Sequence, residues 1–191
     1  GKVLIWNNDG FSLALPDLIF TQDHLLQLLG QGTSELYSFT LGMGSSVSIS
    51  SDPFVLLGSL IKAGSPMILY SVLVLLRLYA AGIGVLCLFR YHGRTGISVI
   101  SAVLVYLFGS YFLYLGLQQP GFLTVMVCFP LLILGLDLIL DGRSGLMFAG
   151  MVGVTMYCNY YHLYMATIVG GIYYLIRLSA EKKGQRLLFF R

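Results

Sequence analysis

Charge is what this sequence has least of. Asp, Glu, Lys and Arg make up only 10% of its 191 residues, against 57% hydrophobic residues, and no soluble domain of this length needs so much apolar surface. A water-soluble globular protein is thereby excluded. Strict polar/apolar alternation over ten-residue stretches is also missing, which excludes an outer-membrane β-barrel. Cysteine is sparse: Cys87, Cys128 and Cys158 each stand alone in an apolar segment and read as small buried hydrophobes, neither disulfides nor metal ligands. The chain has no CxxC or HExxH spacing, internal repeat or low-complexity tract.

What is there is a series of long apolar runs rich in Leu, Ile, Val, Gly and Tyr. The expected fold class is all-α: a polytopic helical membrane protein. Residues 1–52 form the long polar stretch, and within them "PDLIFTQDHLLQLLG" carries helix punctuation in Pro16, Asp17 and Gly30. Leu15, Leu18, Ile19, Leu25, Leu26 and Leu29 share one face, opposite Asp17, Thr21, Asp23, His24 and Gln27. A helix over about 16–29 is too short to span a bilayer and is expected to lie along the membrane surface, with His24 solvated. A Gly/Ser-rich loop then leads to Asp52-Pro53, where Asp52 reads as a helix N-cap first and a ligand second. "PFVLLGSLI" reads as a short dipping segment.

Residues 53–191 make up the transmembrane region, with spans expected at about 67–89, 97–117, 122–140, 146–158 and 162–178. Both chain ends read as cut, so a fragment of a longer protein is expected. The last two spans could be one helix of 33 residues, but that would be roughly 50 Å long against a bilayer core of about 30 Å. Loop charge decides for two. With 1–52 outside, two crossings place eight of the eleven Lys and Arg in the cytoplasm, whereas one crossing strands five of them outside. "YCNYYHLYM" (157–165) then becomes a turn at membrane depth. Its Asn159, Tyr160, Tyr161, His162 and Tyr164 are either structural glue or the floor of a pocket.

Among polar residues in apolar surroundings, Arg77 stands out. A lone cation in mid-span costs at least about 2.5–3.5 kcal/mol, so it pairs or faces a cavity. A cavity for an anion is the preferred reading, a structural ion pair the other. Asp137 is too far along its own helix to be the partner and reads as a near-interface residue beside Asp141 and Arg143. Asp9, in the tight "IWNNDGF" turn next to the membrane surface, is either a turn former or a catalytic base.

The ordered segments "WNNDG…P-D-L", "YSFTLGMG", "DPF..L", "LLRLYAAGIG", "FPLLILGLD" and "NYYHLYM" resemble the bacterial YfhO-like membrane protein family along nearly the whole chain. The resemblance implies a polytopic GT-C type glycosyltransferase. It further implies a polyprenyl-phosphate sugar donor and transfer onto a cell-envelope polymer such as teichoic acid, or onto a glycolipid acceptor. It matches Asp9 to the family's essential acid in the first extracytoplasmic loop, Arg77 and Tyr79 to its Leu-Arg-Leu-Tyr segment, and Asn159, Tyr160, Tyr161, Tyr164 and Met165 to its aromatic turn. Leu13 departs from the pattern, standing where members commonly carry Gln.

The expected mechanism has Asp9 as catalytic base. Arg77, Tyr79, Asn159, Tyr160, Tyr161 and Tyr164 would bind the substrate. Membrane lipid is an expected partner and nucleic acid is not. The sequence points to no definite cofactor; a divalent metal near Asp9 is compatible with the chemistry, although no ligand spacing supports one. The alternatives are a transporter or flippase subunit for lipid-linked precursors, which needs no base at Asp9, and a non-catalytic envelope scaffold.

Overall fold

Twenty-six residues without a charge other than Arg77 and Arg90 form the longest helix, α3 (Pro66–Tyr91), which starts on a proline at its first turn. The computed structural model describes residues 4–5, 10–31, 37–38, 45–46, 52–61 and 65–182. Before α3 come a π-helical turn (Gly10–Ala14), α1 (Leu15–Gln31), a two-residue antiparallel pairing of β1 (Tyr37–Ser38) with β2 (Ser45–Ser46), and α2 (Pro53–Ser59). After it come α4 (Ile97–Leu107), a π-helical turn (Tyr111–Gly116), α5 (Gly121–Leu140), α6 (Leu146–Cys158) and α7 (Tyr160–Lys182). The architecture is all-α apart from the four paired residues.

Helix α5 is the hub, packed against α3, α6 and α7. Between apolar helices in lipid there is little to gain from leaving water, so close approach and dispersion supply the attraction. Gly135 shows it: a Cβ there would lie 2.8 Å from the Phe148 Cα, so α5 and α6 meet backbone to backbone. Pro130 sits inside α5 and cannot donate to the Met126 carbonyl one turn earlier. The Tyr106 hydroxyl of α4 donates to that carbonyl instead, at 2.9 Å. Only α3 and α5 are long and apolar enough, among the described residues, to cross a membrane.

Three expectations are corrected by the packing. Helix α1 does not expose one flat polar face: Thr21 is fully buried and Ile19 is exposed, because Leu15 and Leu18 dock on Leu69, Tyr70 and Leu73 of α3 while α2 covers a second side. His24 stacks on Phe20 with ring centroids 3.7 Å apart. The run 97–117 is not one helix, since α4 ends at Leu107 and the chain turns through Gly109 into a π-helical turn; a glycine there weakens helical continuity that apolarity alone cannot signal. Of the cysteines, Cys128 is buried and Cys158 partly so, but Cys87 is exposed.

Candidate functional site

Arg77 is 2% exposed and is held from two sides. Its Nη2 donates to Asp52 Oδ2 at 2.9 Å, and its Nε donates to Thr124 Oγ1 at 3.1 Å. Thr124 in turn donates to the same Asp52 oxygen at 2.9 Å, and the guanidinium lies over the Phe54 ring. The other Asp52 oxygen, Oδ1, accepts the Phe54 N–H at 2.8 Å and caps α2. One carboxylate thus terminates a helix and neutralises a buried cation, so Arg77 is an ion-paired residue and not a bare cation awaiting an anion.

The helices are not flush, and that brings these groups together. Arg77 lies eleven residues, roughly 16 Å, along α3 from Pro66, yet it meets Thr124, in the first turn of α5. Helix α3 overshoots α5, and α1 and α2 pack on the overshoot. A cavity of about 180 Å³ results, lined by Asp17, Asp52, Tyr70, Arg77, Gly121 and Cys158 among others. Tyr70 is buried, and its hydroxyl has no hydrogen-bond partner among the described residues. That hydroxyl lies 3.2 Å from where a Cβ on Gly10 would stand.

Asp137 lies three residues from the end of α5, but it is not a lone solvated acid. It is fully buried, takes His92 Nε2 at 2.9 Å and the Tyr173 hydroxyl at 2.6 Å, and pairs with Arg177 at 3.4 Å. It ties the end of α3 and the tail half of α7 to α5. Asp141 accepts from the Tyr91 hydroxyl, over whose ring Arg143 lies.

The remaining expected site residues do not join the Arg77 cavity. Tyr79, two positions after Arg77 and so on another face of α3, is 71% exposed. Asn159 separates α6 from α7, and its Oδ1 accepts the Tyr161 and His162 amides at 3.1 and 3.3 Å. It is the cap of α7. Tyr160, Tyr161 and Tyr164 point away from the bundle, with Tyr160 79% exposed. His162 turns inward to the Tyr111 hydroxyl at 3.3 Å. Asp9 lies outside the described residues. Among the described residues no group of three or more His, Cys, Asp or Glu could hold a metal ion. Sequence reasoning missed Asp52 as the Arg77 partner, along with Thr124 and Tyr70. The available signal was that a mid-helix arginine needs an acid, and Asp52 opens the short helix folded back onto α3.

These features define a helical membrane protein whose two longest apolar helices bury ionic groups between them. The family model described as "Bacterial membrane protein YfhO" matches residues 1–191. The chain therefore belongs to the YfhO family of bacterial membrane proteins. No curated protein and no solved structure matches it.

Proposed function

We propose that this protein is a multi-pass membrane glycosyltransferase of the GT-C type, moving a sugar from a polyprenyl-phosphate carrier to a cell-envelope polymer or lipid on the outer face of the membrane. The observation that carries the reading is the polar cavity at the α1–α2 end, lined by Asp52, Arg77 and Tyr70, with Thr124 bracing the ion pair from behind and the Tyr70 hydroxyl beside Gly10. Gly10 directly follows Asp9 in the chain. A base on Asp9 would take the proton from the acceptor hydroxyl. Arg77 lines the cavity and is fixed by Asp52 and Thr124, so the polar wall that would position the sugar is set before reaction.

Loop charge orients the α1–α2 end outward, with the Lys- and Arg-rich tail in the cytoplasm. The exposed Tyr160, Tyr161 and Tyr164 suit the lipid–water interface, where amphipathic rings settle.

Transfer from labelled polyprenyl-phosphate sugars is measured in membranes holding the full-length protein, wild type beside Asp9→Asn. Transfer that disappears in the variant at equal protein level is the expected result. Equal transfer in both removes Asp9 from the chemistry, and absence of transfer across the donor panel rejects the enzyme.

A further inference from the structure

The cavity around Arg77 has the wrong charge for a phosphate. Its charged lining among the described residues is Asp17, Asp52 and Arg77, and the guanidinium is already bonded to the Asp52 carboxylate at 2.9 Å. No second cation lines it among the described residues. An anion entering here would lie beside the Asp52 carboxylate and compete with it for an arginine already bonded to it, and a buried charge without compensation is costly. A neutral hydroxyl-bearing ring has the opposite requirement: each hydroxyl donates to a carboxylate and accepts from an N–H or O–H. The volume of about 180 Å³ is also below the ~300–1,000 Å³ of pockets that enclose drug-sized ligands. There is room for one ring, with any phosphate or lipid carrier left outside the cavity.

Tyr70 supplies the second, independent observation. It lines the cavity and is 3% exposed, and its hydroxyl is one of the two buried side-chain polar atoms left without a partner among the described residues. Native interiors keep few such groups. Glycine at position 10 keeps the space beside that hydroxyl clear of a side chain, since a Cβ would come within 3.2 Å of it.

We propose that this cavity takes a neutral, polyhydroxylated ring and rejects phosphate, and that the Tyr70 hydroxyl is the contact that reads one of the ring's hydroxyl oxygens. That the ring is a sugar rests on the glycosyl-transfer reading above; the preference for a neutral ligand does not. Asp52 and Thr124 are positioning residues that hold Arg77 in place.

The test uses the full-length protein in lipid nanodiscs and reads binding and melting, not transfer. The probes are methyl glycosides of hexoses and N-acetylhexosamines, the same sugars on polyprenyl phosphate, and inorganic phosphate. At least one glycoside is expected to bind saturably while inorganic phosphate does not. Tyr70→Phe should weaken the glycoside about tenfold, as loss of one hydrogen bond does. The same change should raise the ligand-free melting midpoint, because an unpaired hydroxyl leaves the interior. Tighter binding of the lipid-linked sugar assigns the ring to the donor, and tighter binding of the free glycoside assigns it to the acceptor; either supports the cavity. Phosphate binding, no glycoside binding, unchanged affinity in Tyr70→Phe, or a lowered melting midpoint would each overturn it. Glycoside binding in a protein that transfers no sugar across the donor panel would reject the enzyme and leave the cavity standing.

Discussion

Two buried aspartates mark opposite ends of the α3–α5 pair, and they are used differently. Asp137 collects His92, Tyr173 and Arg177 and lines neither described cavity. Its surroundings are closed. Asp52 is just as fully engaged, by the Phe54 amide, Arg77 and Thr124, yet a cavity opens beside it and the Tyr70 hydroxyl stays unpaired. The same chemistry, a carboxylate set against an arginine, ties helices at one end and frames an empty space at the other. A buried ion pair is therefore not in itself a sign of a site; the unsatisfied neighbour is.

The largest effect should come from breaking the Asp52 end. Asp52→Ala strands Arg77 as a buried cation, a loss of about 3–5 kcal/mol, and removes the α2 cap, about 1 kcal/mol more. Unfolding of the purified protein in detergent measures it. A loss smaller than that of Asp137→Ala would invert the comparison, because Arg177 is 23% exposed at its side chain and keeps access to water. Next in size is Asp137→Asn, which keeps an acceptor oxygen but surrenders the charge. It should cost about 1–3 kcal/mol, as a weakened charged hydrogen bond does, and leave glycoside binding intact. Loss of binding with normal stability would mean that the closed end also serves the ligand. The smallest change, Asn159→Ala, should cost about 1 kcal/mol as a lost helix cap, with Asn159→Ser recovering most of it. If Asn159→Ala leaves the unfolding midpoint unchanged but abolishes ligand binding, Asn159 belongs to the site and not to the helix end.

The helices were legible where apolar runs are bounded by Pro, Gly or Asn, as at Pro66, Gly121 and Asn159, since each of these residues acts on the backbone locally. The break after Leu107 was not, because hydrophobicity runs on through Gly109. For Arg77 the sequence gives a depth along one helix, and depth translates into neighbours only when helix ends are level; the overshoot of α3 moved Arg77 to the first turn of α5 and into reach of Asp52. Residue type marked the 157–165 cluster as polar, but which side chain turns inward depends on how α7 is rotated, and the structure selects His162 over the tyrosines. Ile19 and Thr21 exchanged expected faces for a similar reason, since α1 meets both α2 and α3.

Seven residues are too few for a helix to persist by its own hydrogen bonds, and α2 has seven. Its first turn is nevertheless fastened by the carboxylate that neutralises Arg77. To fray from that end, α2 must release a guanidinium buried between α3 and α5, so its opening belongs to the same cooperative unit as the bundle. Hydrogen exchange at the Phe54 amide therefore reports on the integrity of the α3–α5 contact, from a position outside either helix.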